Sequence, residues 1–192
     1  MKRVFFLIIA IFFFTACTMQ ETKVYSLSLP VETKLSDNKP DSSVNIRVRA
    51  PRYLAQQYIA CRTSAYQIDI SKYSKWEAPP AEMVRDAFKD SFYSRGISKV
   101  STSNFVPAGY YSVEVQLRRF ERIDSGKDLF GEIGFEAVVS SPEGKEIYRK
   151  TTSRQIRLES KDNLELAKSL SSALSEGVEE AITGMAAVMG HL

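Results

Sequence analysis

Histidine is almost missing from this chain. The single one, His191, is the penultimate of 192 residues, so neither a Ser-His-Asp relay nor a metal site rich in imidazoles can be assembled. Cysteine is nearly as scarce. Cys17 and Cys61 are the only two, too few for the disulfide framework that staples small secreted domains. A dominant charge is missing as well: 26 Lys and Arg stand against 23 Asp and Glu, a formal net charge of +3, weak support for a nucleic-acid partner. Carboxylates such as Glu132, Glu136 and Glu146 fall on predicted strands, where they read as a solvated face and not as an acid–base pair. No catalytic motif, metal-ligand spacing or cofactor fingerprint is present, and the expectation is a protein that is not an enzyme.

Long apolar runs are also lacking, with one exception. Val4 to Phe14 are eleven unbroken apolar residues behind Lys2 and Arg3, a signal-peptide profile. The run falls short of the roughly 20 residues that a permanent span needs. It ends in Phe14-Thr15-Ala16-Cys17, which resembles the lipobox of bacterial lipoproteins, with phenylalanine where leucine is usual. That chemistry requires a thiol, because sulfur is the nucleophile that takes the diacylglyceryl group. Residues 1–16 are therefore expected to be a cleaved lipoprotein signal peptide, cut between Ala16 and Cys17, with palmitate-type chains on Cys17. One chain binds a bilayer only marginally, whereas two or more, at about 0.8 kcal/mol per buried CH₂, hold essentially permanently. Thr18 stands where lipoproteins retained in the inner membrane commonly carry aspartate, so the same resemblance points to the periplasmic face of an outer membrane. Loss of Lys2 and Arg3 leaves 24 basic against 23 acidic residues, a net charge of +1. With Cys17 acylated, Cys61 has no partner in its own chain, which leaves a dimer-forming thiol or a buried one.

Residues 17–43 read as a lipidated N-terminus, a short strand at Val24–Leu29 and a flexible tether, and 44–192 as one domain. Val44, Ile46, Val48 and Ala50 alternate with Asn45, Arg47 and Arg49 in the period of a half-buried strand. Ile59–Thr63 and Tyr66–Ile70 form a short strand pair. Pro79-Pro80 opens a helix with a stripe of Val84, Phe88 and Phe92, and Gly96 caps it. Strands then follow at Tyr111–Arg118, Ile133–Val139 and Lys145–Leu158, an antiparallel meander in which ERIDSGKDLFGE is expected to be a protruding loop. Asp162 and Glu165 have the spacing of a capping box before a last helix. There Leu164, Ala167, Leu170, Leu174, Val178, Ile182 and Met185 recur at helical spacing, serving either the core or a subunit contact, and Gly177 and Gly184 each weaken the helix by about 1 kcal/mol. The fold class is α+β, a mainly antiparallel sheet backed by two principal helices.

Tyr53-Leu54, Ile59, Arg62-Thr63, Tyr66, Tyr73 and Trp76, with the helix from Pro80, together resemble the ABC-type transport auxiliary lipoprotein family, the paraquat-inducible protein C-like lipoproteins. The likeness is specific between Pro51 and Gly96; Ser74-Lys75 departs from the His-Arg common there. It implies an outer-membrane-anchored periplasmic domain that assists a lipid transport system running between the two membranes. The partners implied are ABC transporter subunits and an MCE-domain (mammalian-cell-entry) protein; repeated weak docking to such an assembly would favour a homo-oligomer. Arg62, Tyr66, Tyr73 and Trp76 are the candidate partner contacts. Tyr73 and Trp76 read more often as a hydrophobic plug at the helix start than as a contact, and Arg62 as a partner of Asp69 or a surface residue. A lipoprotein that activates or assembles a cell-wall or outer-membrane machine would share the anchor and tether.

Overall fold

The computed structural model describes residues 20–30 and 42–189. The expected signal peptide, with Ala16 and Cys17, the middle of the expected tether and His191 lie outside the described residues. Among the described residues the order is β1 (Lys23–Tyr25), β2 (Ser43–Arg49), a 3-10 turn (Arg52–Ala55), β3 (Tyr58–Arg62), β4 (Ile68–Trp76), α1 (Pro80–Ser94), β5 (Lys99–Ser101), β6 (Tyr111–Ser125), β7 (Asp128–Ser140), β8 (Glu146–Leu158) and α2 (Asn163–Val188).

All the strands join one sheet whose hub is β6. One edge of β6 takes β7, and β8 follows, which is the expected antiparallel meander. The other edge is shared end to end: β2 lies parallel along Tyr111–Gln116, and β3 parallel at Arg122 and Ile123. Outward from these, β5 runs parallel to β2, β4 antiparallel to β3, and β1 parallel to β4. The sheet is therefore mixed and not mainly antiparallel. The cause is a crossover. The chain leaves β2, passes through the β3–β4 hairpin and α1, and returns as β6, and a connection of that length allows a parallel join. Apolar alternation shows which face of a strand is buried and not which way its neighbour runs.

Both helices cover one face. α2 packs across β7 and β8, α1 across β2, and the helices touch each other. Between the layers Val113, Val115, Leu117, Ile133, Phe135 and Val139 meet Val84, Phe88, Phe92, Leu170, Leu174 and Ile182, all buried. Phe88 meets Phe135 edge-on at 5.5 Å, a geometry worth about 0.5–1.5 kcal/mol beyond the area buried. Pro80 opens α1, where its missing N–H leaves no helical bond unmade, and Gly96 follows the helix at φ 88°. At the start of α2 the Asp162 carboxylate accepts from the Leu164 N–H at 3.0 Å. Glu165 reaches back to the N–H groups of Glu159 and Ser160 and leaves that of Asp162 to the Ser160 hydroxyl, so the box is shifted outward from the expected one. Leu164 is exposed, and Leu166 takes the inward position.

Four further findings correct the expectations. ERIDSGKDLFGE is no protruding loop: β6 runs to Ser125 and β7 begins at Asp128, around Gly126 at φ 63°. Asn45 does not face solvent. It is fully buried, and its side-chain amide donates to the Ser103 carbonyl at 3.2 Å, because the chain between β5 and β6 covers that side of β2. Residues 25–30 do not hang free; Leu27 and Leu29 pack on the core, and the Ser28 N–H bonds the Ser171 hydroxyl at 3.1 Å. Gly177 is more than a weak point in a helix. A Cβ there would stand 3.2 Å from the rings and methyls of buried Phe135 and Thr152. Gly177→Ala is expected to forfeit the gain of about 1 kcal/mol usual for such a change in a helix, and Gly177→Leu to destabilise by about 3 kcal/mol through overpacking; urea unfolding of the two variants checks both.

Candidate functional site

β3 and β4 make a hairpin arm at one margin of the sheet. Its turn closes with the Thr63 N–H on the Gln67 carbonyl at 3.2 Å, and Tyr66 at the tip is fully exposed. Tyr73, on β4, is also exposed. Trp76, at the far end of β4, is only 1% exposed and meets the Phe120 ring edge-on at 5.4 Å. Of its two readings the plug is the one that burial fits, and Trp76 is no surface contact. The four candidates thus divide: two tyrosines on the surface, Arg62 at the turn end of β3 where that strand meets β6, and Trp76 buried at the opposite end of the arm.

Arg62 finds its partner outside the arm. Its Nε donates to Glu121 Oε1 at 2.6 Å, and Arg119 Nη1 donates to the same oxygen at 2.8 Å. Asp69, the expected partner, instead accepts from Gln67 Nε2 at 2.9 Å. The Glu121 carboxylate is fully buried in β6. Burial, together with that carboxylate, pushes the Tyr53 phenol above its ordinary pKa. Glu121 lies beyond the β6 residues whose alternation is visible, because a bulge between Leu117 and Arg119 shifts the register. The cue in the sequence is Phe120-Glu121, an aromatic and an acid side by side where strict alternation has ended.

Next to Arg62 on β3 is Cys61, paired with Arg122 of β6. Arg122 Nη2 lies 3.3 Å from its sulfur, Arg122 Nε 2.8 Å from Asp124 Oδ1, and Lys161 Nζ 2.8 Å from Asp124 Oδ2. Burial pushes the Cys61 thiol up, and the neighbouring Asp124 adds to this, so the thiol is held in its less nucleophilic form. Burial alone would raise Asp124 too, but Lys161 and Arg122 hold it below the usual carboxylate value. Cys61 is half-buried and free.

A second concave feature lies between the helices. Leu27, Leu29, Ala87, Ser91 and Val178 line an open groove of about 340 Å³, beside the segment that crosses from β1 over α2. No group of His, Cys, Asp and Glu among the described residues is arranged to hold a metal ion. No helix among them is long and apolar enough to cross a membrane.

A mixed sheet with helices on one face and an arm at its margin defines an α+β domain. The family model for the ABC-type transport auxiliary lipoprotein component matches residues 25–181, and the chain belongs to that family. It is thus a membrane-anchored lipoprotein that assists ABC-type transport. The fold is similar to the crystal structure of protein XCC0632 from Xanthomonas campestris, at 20% identity and a TM-score of 0.69, over 88% of this chain and 96% of that one. A second solved structure, of an uncharacterized protein, is similar at 16% identity and a TM-score of 0.68, over 86% of this chain and 99% of that one. At these identities the likeness is one of fold alone. No curated protein matches the chain by sequence.

Proposed function

We propose that this lipoprotein is held at the periplasmic face of the outer membrane by acyl chains on Cys17 and serves as the docking component of an ABC/MCE-type lipid transport system, with no turnover of its own. The family match over residues 25–181 carries the reading. The lipobox-like stretch ending at Cys17 supports the anchor, and the exposed arm with Tyr66 and Tyr73 supplies aromatic contact surface of the kind enriched at interface hot spots. Arg62 serves this surface indirectly, by fixing the arm on Glu121.

Two measurements test it. Cys17→Ser is expected to abolish fatty-acid labelling and to leave an uncleaved or misplaced precursor; continued labelling in the outer membrane overturns the anchor. Affinity purification of the tagged native lipoprotein from membranes, followed by mass spectrometry, is expected to recover an MCE-domain protein and transporter subunits. Recovery of only a cell-wall synthase or an outer-membrane assembly complex would transfer the assignment to that class of machine.

A further inference from the structure

Tyr73, one of the two arm tyrosines available for docking, belongs to a patch better suited to a membrane surface, which leaves the docking contact to Tyr66 at the tip. Val24 of β1 pairs in register with Lys75 of β4, and Lys75 pairs with Tyr58 of β3, so three adjacent strands present these side chains on one face. Tyr73 stands two residues before Lys75 on β4, where the pairing with β3 is irregular, and is exposed beside them. Val24 is 64% exposed, Tyr73 45% and Tyr58 38%, and the Lys75 ammonium lies 5.7 Å from the centre of the Tyr58 ring. Two tyrosines, an aliphatic residue and a lysine on a flexible stem make the chemistry of a membrane interface, where amphipathic rings sit at headgroup level and lysine reaches the phosphates.

The chain itself says what lies near this patch. β1 runs parallel to β4, so the polypeptide N-terminal to Lys23 heads along β4 toward Ile68 and the tip of the arm. The described chain begins at Gln20, three residues after Cys17. At no more than about 3.6 Å per residue, an acylated Cys17 is held within about 11 Å of Gln20, and Gln20 within about 11 Å of Lys23, the neighbour of Val24. An anchored molecule therefore keeps this patch within roughly 20 Å of the bilayer.

We propose that the face formed by Val24, Tyr58, Tyr73 and Lys75 rests on the headgroup layer of the membrane that holds the anchor, and so sets the orientation of the domain. The inference rests on the acylation of Cys17 proposed above. Apolar and aromatic contact dominates it, because Lys72 and Lys75 are offset by Asp69 and Glu77 in the same strand and just after it. The lipid surface is favoured over a protein partner by the short reach of the anchor.

The test uses the full acylated lipoprotein in a Cys61→Ser background, reconstituted into vesicles of phosphatidylethanolamine and phosphatidylglycerol that contain headgroup spin-labelled lipid. A thiol-reactive fluorophore is placed at Tyr73→Cys or at Ala187→Cys, an exposed site near the C-terminal end of α2. Flotation of the vesicles reports the anchor independently. The expected result is flotation of both proteins, with the Tyr73→Cys probe quenched severalfold more strongly than the other. Flotation with equal, weak quenching overturns the orientation while leaving the anchor intact. Failure to float removes the anchor and the inference together. A Tyr73→Cys probe untouched by spin-labelled lipid, yet shielded from aqueous iodide when the purified transport assembly is added, overturns the inference in favour of a protein interface.

Discussion

Trp76→Ala is expected to destabilise the protein by about 4 kcal/mol, the usual range for emptying a buried aromatic site. The indole is enclosed and packs on Phe120, so its loss opens a cavity at the junction of β4 with the sheet. Trp76→Phe is expected to cost only about 1–1.5 kcal/mol, because the phenyl ring keeps most of the aromatic packing and leaves a much smaller cavity than Ala. It also deletes a buried indole N–H that has no hydrogen-bond partner. Urea unfolding monitored by circular dichroism measures both. If Trp76 were a partner contact and not a plug, Trp76→Ala would leave the unfolding midpoint unchanged and lower only the recovery of partners.

Removal of the Glu121 carboxylate is the second large effect. Breaking a fully buried ion pair costs about 3–5 kcal/mol. Here the partners Arg62 and Arg119 are 17% and 38% exposed, and solvent screens part of the loss. Glu121→Ala is therefore expected to cost about 2–3 kcal/mol, with faster amide exchange in β3, whose Arg62 then loses its hold. The double variant Glu121→Leu with Arg62→Met is expected to recover most of that stability, since an apolar pair of similar volume replaces the more buried ion pair and Arg119, 38% exposed, is left to water. If the double variant is no more stable than Glu121→Ala, the ion pair is not what fixes the arm on β6.

How far the chain could be read depended on what each residue's neighbours reveal locally. Val113, Val115 and Leu117 alternate because one side of β6 meets the helices, and the same is true of Ile133, Phe135, Ala137 and Val139 in β7. Pro80, Gly96 and Asp162 mark helix ends because helix ends have unmade backbone bonds that only certain residues accommodate. Past Leu117 the bulge shifts the alternation, so Phe120 and Glu121 no longer announce a strand. The three residues of β5 are too few for any period. Strand direction leaves no mark on side-chain alternation, which is why the parallel joins were invisible. In the candidate site, a plug at the helix start is what burial fits for Trp76 and not for exposed Tyr73, whereas Arg62–Glu121 joins residues 59 apart in sequence and is created only by the pairing of β3 with β6.

The place of β6 at the hub also fixes the order in which the molecule can become itself. β2 and β3 come early in the chain, yet each needs β6 beside it, and Arg47 reaches Glu114 across 67 positions. Closing loops of that length before any contact rewards them makes such pairing slow. Until Tyr111–Ser125 is available, everything before it lacks the strand on which the sheet is built. β2 and β3 consequently cannot take their final places until more than half of the chain is available, and the core is complete only when Asn163–Val188 packs across the sheet.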